Sequence, residues 1–98
     1  MNLLPSELAA ALPALGTTEH EADPLLRVKF FALASSWTWY VLEYDPEQRL
    51  FFGLVDGFEK ELGYFSLAEL ESLGLRIERD LYFKPTPLSS LRQGEGEA

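Results

Sequence analysis

The chain has 98 residues, 47% of them hydrophobic, enough for one globular domain with a modest core. It has no cysteine, which excludes disulfides, thiolate metal sites and cysteine catalysis. Eight basic residues against 16 acidic ones give a net charge of −8, and the basic residues are scattered, so direct binding to a nucleic-acid backbone is not expected.

The first stretch, MNLLPSELAAALPALG, has no basic region and carries Glu7, so it does not read as a signal peptide. No apolar run approaches the ~20 residues needed to span a bilayer. The expectation is a cytoplasmic protein with no membrane association. Pro5 to Leu12 reads as a helix, because Leu4, Leu8 and Leu12 recur every four residues and Pro13 stops it. Gly16 to Pro24 is a polar acidic loop. Leu26 to Leu33 follows as a strand, with Val28 and Phe30 alternating against Arg27, Lys29 and Phe31.

The next stretch, SWTWYVLEYD from Ser36 to Asp45, holds both tryptophans and reads as a strand that is apolar on both faces. Simple alternation puts Trp37, Trp39, Val41 and Glu43 on one face and Thr38, Tyr40, Leu42 and Tyr44 on the other. Asp45-Pro46-Glu47-Gln48 has the chemistry of a type I turn, and Leu50 to Val55 returns as the second strand of a hairpin. Gly53 inside that strand signals a bulge or a close approach from a neighbour. Asp56-Gly57 marks another turn, and Glu61 to Phe65 completes a meander.

Ser66-Leu67-Ala68-Glu69 is a capping box, flanked by Phe65 and Leu70 as a hydrophobic staple, and the helix it starts runs to Gly74. Leu75 to Phe83 is either one strand or two short pieces broken near Asp80. Pro85-Thr86-Pro87 is extended, with a last helical turn at Leu88 to Leu91. Residues 1–92 therefore form a single α+β domain, a small antiparallel sheet of four to five strands packed with two or three short helices, and 93–98 form a disordered acidic tail. One helix explains one apolar face of the Trp37 strand. The second face needs its own cover: the first helix, the C-terminal segment or another chain.

The run from Phe30 to Leu91 carries Trp37-Thr38-Trp39-Tyr40, Phe51-Phe52-Gly53-Leu54-Val55, Glu61-Leu62-Gly63-Tyr64-Phe65-Ser66-Leu67 with Glu69-Leu70, and Ile77-Glu78-Arg79-Asp80-Leu81 with Phe83, Pro85 and Pro87-Leu88. Together with the opening Leu3-Leu4-Pro5-Ser6-Glu7-Leu8, these words resemble the domain-of-unknown-function 2958 family of small bacterial proteins. Its members are often encoded on plasmids, integrative elements and phages. The resemblance implies a role in mobile-element maintenance or interference with host defence, and it assigns no catalytic residue.

Read on their own chemistry, the candidate residues fall into four groups. His20 stands with Glu19, Glu21 and Asp23, a set that could hold a divalent metal but more simply forms a solvated loop, so no metal and no cofactor are expected. Glu43, Asp45, Asp56, Glu59 and Glu61 cluster around the two meander turns as an acidic rim. Arg79 and Asp80 lie beside apolar Ile77 and Leu81, as a structural ion pair or a ligand anchor. The aromatics Trp37, Trp39 and Tyr40 suit a protein-binding hot spot if exposed. No nucleophile elbow, phosphate loop or dinucleotide fingerprint is present, so no catalytic residue is assigned. The leading expectation is a non-catalytic protein-interaction module using Trp37, Trp39, Tyr40, Glu43, Asp45, Glu59 and Glu61, with a homodimer as another way to cover the strand. The alternatives are an acidic DNA mimic that inhibits a host defence or DNA-binding protein, and a small enzyme or ligand-binding domain using carboxylates and Arg79.

Overall fold

A computed structural model describes residues 2–73 and 76–92 of the chain. Among them, helix α1 (Ser6–Ala11) is followed by strands β1 (Leu25–Leu26), β2 (Val28–Ala32), β3 (Thr38–Asp45), β4 (Leu50–Asp56) and β5 (Lys60–Ser66). Helix α2 (Leu67–Ser72), strands β6 (Ile77–Arg79) and β7 (Thr86–Pro87), and helix α3 (Leu88–Arg92) complete the chain order. Five strands form one sheet in the order β5-β4-β3-β2-β6, antiparallel throughout, and β1 pairs with β7 as a separate antiparallel ribbon. This is the α+β fold that the hydrophobic pattern implies.

The local signals act where the sequence places them. The Ser66 hydroxyl accepts from the Glu69 N–H at 2.9 Å, and Phe65 and Leu70 are buried in one cluster, so cap and staple both set the start of α2. Its expected end at Gly74 lies outside the described residues, as do Leu75 and the acidic tail. The Asp45 carboxylate accepts from the Glu47 N–H at 3.0 Å and from Gln48 Nε2 at 2.7 Å, which closes the β3–β4 turn. The Leu26–Leu33 strand is divided at Arg27, whose N–H donates to the Val41 carbonyl at 2.8 Å. The Ile77 strand stops at Arg79, and the Phe83 N–H closes a turn onto the Asp80 carbonyl, so the break near Asp80 is real.

A bulge in β3 changes which side chains share a face. Val41 pairs with Gly53, but the next paired residue is Glu43, opposite Phe52, leaving Leu42 as the extra residue. Alternation therefore slips by one. Tyr44 joins Trp39 and Val41 on one face, and Glu43 joins Tyr40 and Leu42 on the other, the reverse of the simple expectation for both residues. Gly53 is required at this point. A Cβ there would sit 1.8 Å from the Tyr40 carbonyl oxygen, so the close approach is to backbone rather than to a ring.

Both faces of the sheet are covered within the chain. On one, Phe30, Trp39, Val41, Tyr44, Phe51 and Phe65 pack with Leu3, Leu4, Leu67 and Leu70, so the N-terminal segment and α2 share a side. On the other, Leu42 and Leu54 pack with Leu26 and Leu88, flanked by Tyr40, Phe52, Phe83 and Leu91. The C-terminal segment is thus the second cover. It is anchored where the Leu88 N–H donates to the Pro24 carbonyl at 2.9 Å and where Asp23 accepts from both the N–H and the hydroxyl of Ser89.

Candidate functional site

Burial divides the aromatic residues. Trp39 is 7% exposed and belongs to the core, so within the expected partner-binding trio it has no surface to offer. Tyr40 is half-buried against Phe83, 5.7 Å between ring centroids, with the Lys29 ammonium 5.9 Å over its ring. Burial, helped by the nearby Asp56 and Asp80 charges, pushes the Tyr40 phenol up and keeps it neutral. Trp37 is half-buried and meets Phe58 edge to face at 5.4 Å. Phe58 itself is 95% exposed, and Tyr64 is 66% exposed. Trp37 and Phe58 therefore form an exposed aromatic pair at the β4–β5 turn, while Tyr64 packs on Phe52 at 4.9 Å on the other face of the sheet and Tyr82, 90% exposed, lies beyond β6. Phe58 was missed by sequence reasoning, although an apolar residue at the tip of a polar turn, Asp56-Gly57-Phe58-Glu59, is itself the signal.

The seating of Trp37 depends on its neighbour across the sheet. A Cβ at Gly57 would lie 2.5 Å from the Trp37 ring, so glycine leaves the space that the ring occupies beside the β4–β5 turn. From there Trp37, Val55, Phe58, Glu59, Glu61 and Gly63 line an open depression of about 670 Å³ that reaches Leu62 and Tyr64 on β5.

The carboxylates do not form one rim. Asp45 lies at the β3–β4 turn, with Glu43 nearby on β3, whereas Asp56, Glu59 and Glu61 lie at the β4–β5 turn, the opposite end of the sheet. Strand β4, seven residues long, separates the two ends by about 20 Å. Only Glu59 and Glu61 line the aromatic depression.

Glu43 is buried, 3% exposed, and its carboxylate is fully engaged. One oxygen accepts from the Gly16 N–H at 2.8 Å; the other accepts from the Thr18 N–H at 2.8 Å and from the Thr18 hydroxyl. Burial pushes the carboxyl up, but the Thr18 hydroxyl and the two backbone N–H groups outweigh it and hold it below the usual range. Such a group stays ionised at neutral pH and fastens the Gly16–Pro24 loop. It borders a second depression, about 250 Å³, lined also by Glu19, Glu21, Leu42, Phe52, Leu62 and Tyr64.

Arg79 and Asp80 both hold structure together. Arg79 Nη1 donates to the Asn2 carbonyl at 3.1 Å and to the Leu3 carbonyl at 2.7 Å, tying the N-terminal segment to β6. Asp80 lies 3.8 Å from the Lys29 ammonium and accepts from the Tyr82 N–H at 2.9 Å. They border a shallow depression with Lys29, Phe31, Glu78, Leu81 and Tyr82.

A family model described as "Protein of unknown function (DUF2958)" matches residues 3–93. The chain belongs to this family. No curated protein and no solved structure matches it. Membership in the DUF2958 family assigns no role to any residue, so the candidate site rests on geometry. In this family member His20, Glu19, Glu21 and Asp23 share an exposed loop, with Asp23 engaged by Ser89, and no group of three or more potential metal ligands is assembled among the described residues. Among those residues no helix is long and apolar enough to cross a membrane.

Proposed function

We propose that this DUF2958 protein is a non-catalytic protein-interaction module, working in the cytoplasm in the service of a mobile element. Its binding surface is the exposed pair of Trp37 and Phe58 with Glu59 and Glu61. The observation that carries this reading is Phe58: a large apolar ring, 95% exposed, held edge to face against Trp37 in a chain whose sheet is already covered on both sides. An aromatic ring left in water forgoes burial worth about 2 kcal/mol, and aromatic residues dominate the hot spots of protein interfaces.

The other readings have less support. A DNA mimic wants a continuous acidic surface, and the carboxylates divide between two ends with Glu43 buried. A general acid or base wants a pKa near the working pH with a free oxygen, whereas Glu43 is lowered and both of its oxygens are occupied. A photo-crosslinking phenylalanine analogue placed at Phe58 in cells tests the proposal. The expected result is an adduct of defined mass that is absent when the same analogue replaces Gln48, which is exposed at the opposite end of the sheet. Equal crosslinking at both positions, or none at either, overturns it.

A further inference from the structure

We propose that the outer edge of β5 accepts an added strand from a basic partner segment, whose Lys or Arg side chains enter the depressions on the two faces of the sheet. The inference rests on the interaction role above and specifies its geometry and chemistry.

Strand β5 ends the sheet. Among the described residues β4 is its one strand partner, and the pairing runs without a register shift from Leu50–Ser66 to Asp56–Lys60. Edge strands are normally guarded by proline, a bulge, an outward lysine or shortness, because a row of unpaired N–H and C=O groups invites another strand. None of these devices protects β5. It contains no proline, it is seven residues long, and the Lys60 ammonium is turned to the Leu91 carbonyl at 2.9 Å. At Gly63, mid-strand, a Cβ would meet nothing within 4 Å. The opposite edge differs: β6 is three residues long.

Side chains of an added strand point alternately to the two faces of the sheet. Each face beside β5 has a depression, and Leu62 and Tyr64 border both. One pairs Trp37 and Phe58 with Glu59 and Glu61; the other pairs Phe52 with Glu19 and Glu21. Aromatic walls and paired carboxylates suit long cationic side chains, whose methylene stems cover rings while the charged heads reach carboxylates. The net charge of −8 points the same way: a basic segment is attracted, and a second copy of the chain is repelled.

The test uses a seven-residue peptide of Arg, Lys and Val with basic residues on both faces, matched to the seven residues of β5. Two controls accompany it: the same peptide N-methylated at alternate residues, and an acidic counterpart. Binding is read by fluorescence anisotropy, with the contact region located by amide chemical shifts. The expected result is binding of the basic peptide alone, with shifts concentrated in Lys60–Ser66. Affinity should fall at least about tenfold on N-methylation, which removes strand hydrogen bonds while keeping the charge. It should fall similarly in the Glu59→Lys/Glu61→Lys variant, both of whose sites are exposed. Equal affinity for the N-methylated peptide overturns strand addition while leaving the interaction role standing. Failure of the basic peptide to bind, or a dimer in sedimentation that buries β5, overturns the basic-partner inference. Loss of position-dependent crosslinking at Phe58 is the separate failure of the role itself.

Discussion

Glu43 and Gly16, 27 residues apart, are joined by a carboxylate–amide hydrogen bond of 2.8 Å in a setting where Glu43 is almost fully buried. With the Thr18 N–H and hydroxyl on the other oxygen, the side chain does for the Gly16–Pro24 loop what a cap does for a helix end. Glu43→Ala should leave buried donors unpaired and cost about 2–3 kcal/mol. In a domain of this size that lowers the Tm by roughly 10 °C or more, measurable by calorimetry. Thr18→Val removes one donor and should cost about 1 kcal/mol.

The same carboxylate makes stability depend on pH. Its folded pKa lies below its unfolded value, so its stabilisation is fully present above the ordinary glutamate range of about 4.3 and is lost as pH falls through the lowered folded value. Asp23, lowered by its hydrogen bonds from the Ser89 hydroxyl and N–H, acts in the same direction. Unfolding measured from neutral to acid pH should show Tm falling in the wild type below the ordinary glutamate range. The fall should be shallower in Glu43→Gln, which has no charge there to neutralise.

Two glycines on facing strands should respond in opposite ways. Gly53→Ala places a methyl against the Tyr40 carbonyl beside the bulge and should destabilise by several kcal/mol or prevent folding. Gly63→Ala, directly across from it in the β4–β5 pairing, has open space and should change stability by about 0.5 kcal/mol or less. Soluble yield and chemical denaturation of the two variants separate the outcomes.

Gly57→Ala should act on the site rather than on the fold. The atoms it meets are the far edge of the Trp37 ring, which can swing outward. The expected outcome is a red-shifted Trp emission with a Tm within a few degrees of wild type.

Much of the fold is legible in the residues because local chemistry and tertiary structure agree there. Asp45-Pro46 makes its turn, Ser66 caps its helix, and Gly53 marks the bulge. What escaped has a common cause: it depends on partners distant in sequence. The bulge lies in the strand facing Gly53, so it is the β3 residues that change faces, and alternation alone places Glu43 and Tyr44 on the wrong sides. The cover of the second face is a two-residue ribbon and a five-residue helix, too short to show a period. Trp39 and Trp37 differ by two positions and share a face, yet one is core and the other is half-exposed, because the edge of the packed cluster falls between them. Burial of this kind is set by the whole fold.

The interaction role is tested most directly by measuring partner retention and stability together in one variant. Phe58→Ala is expected to keep the wild-type Tm, since its ring is 95% exposed, while retention of the crosslinked partner on the immobilised protein falls at least about tenfold. Trp39→Ala, which opens a core cavity, should instead lower stability by about 3–5 kcal/mol. A Phe58→Ala protein of unchanged Tm that retains the partner as well as wild type overturns the interaction role of this surface.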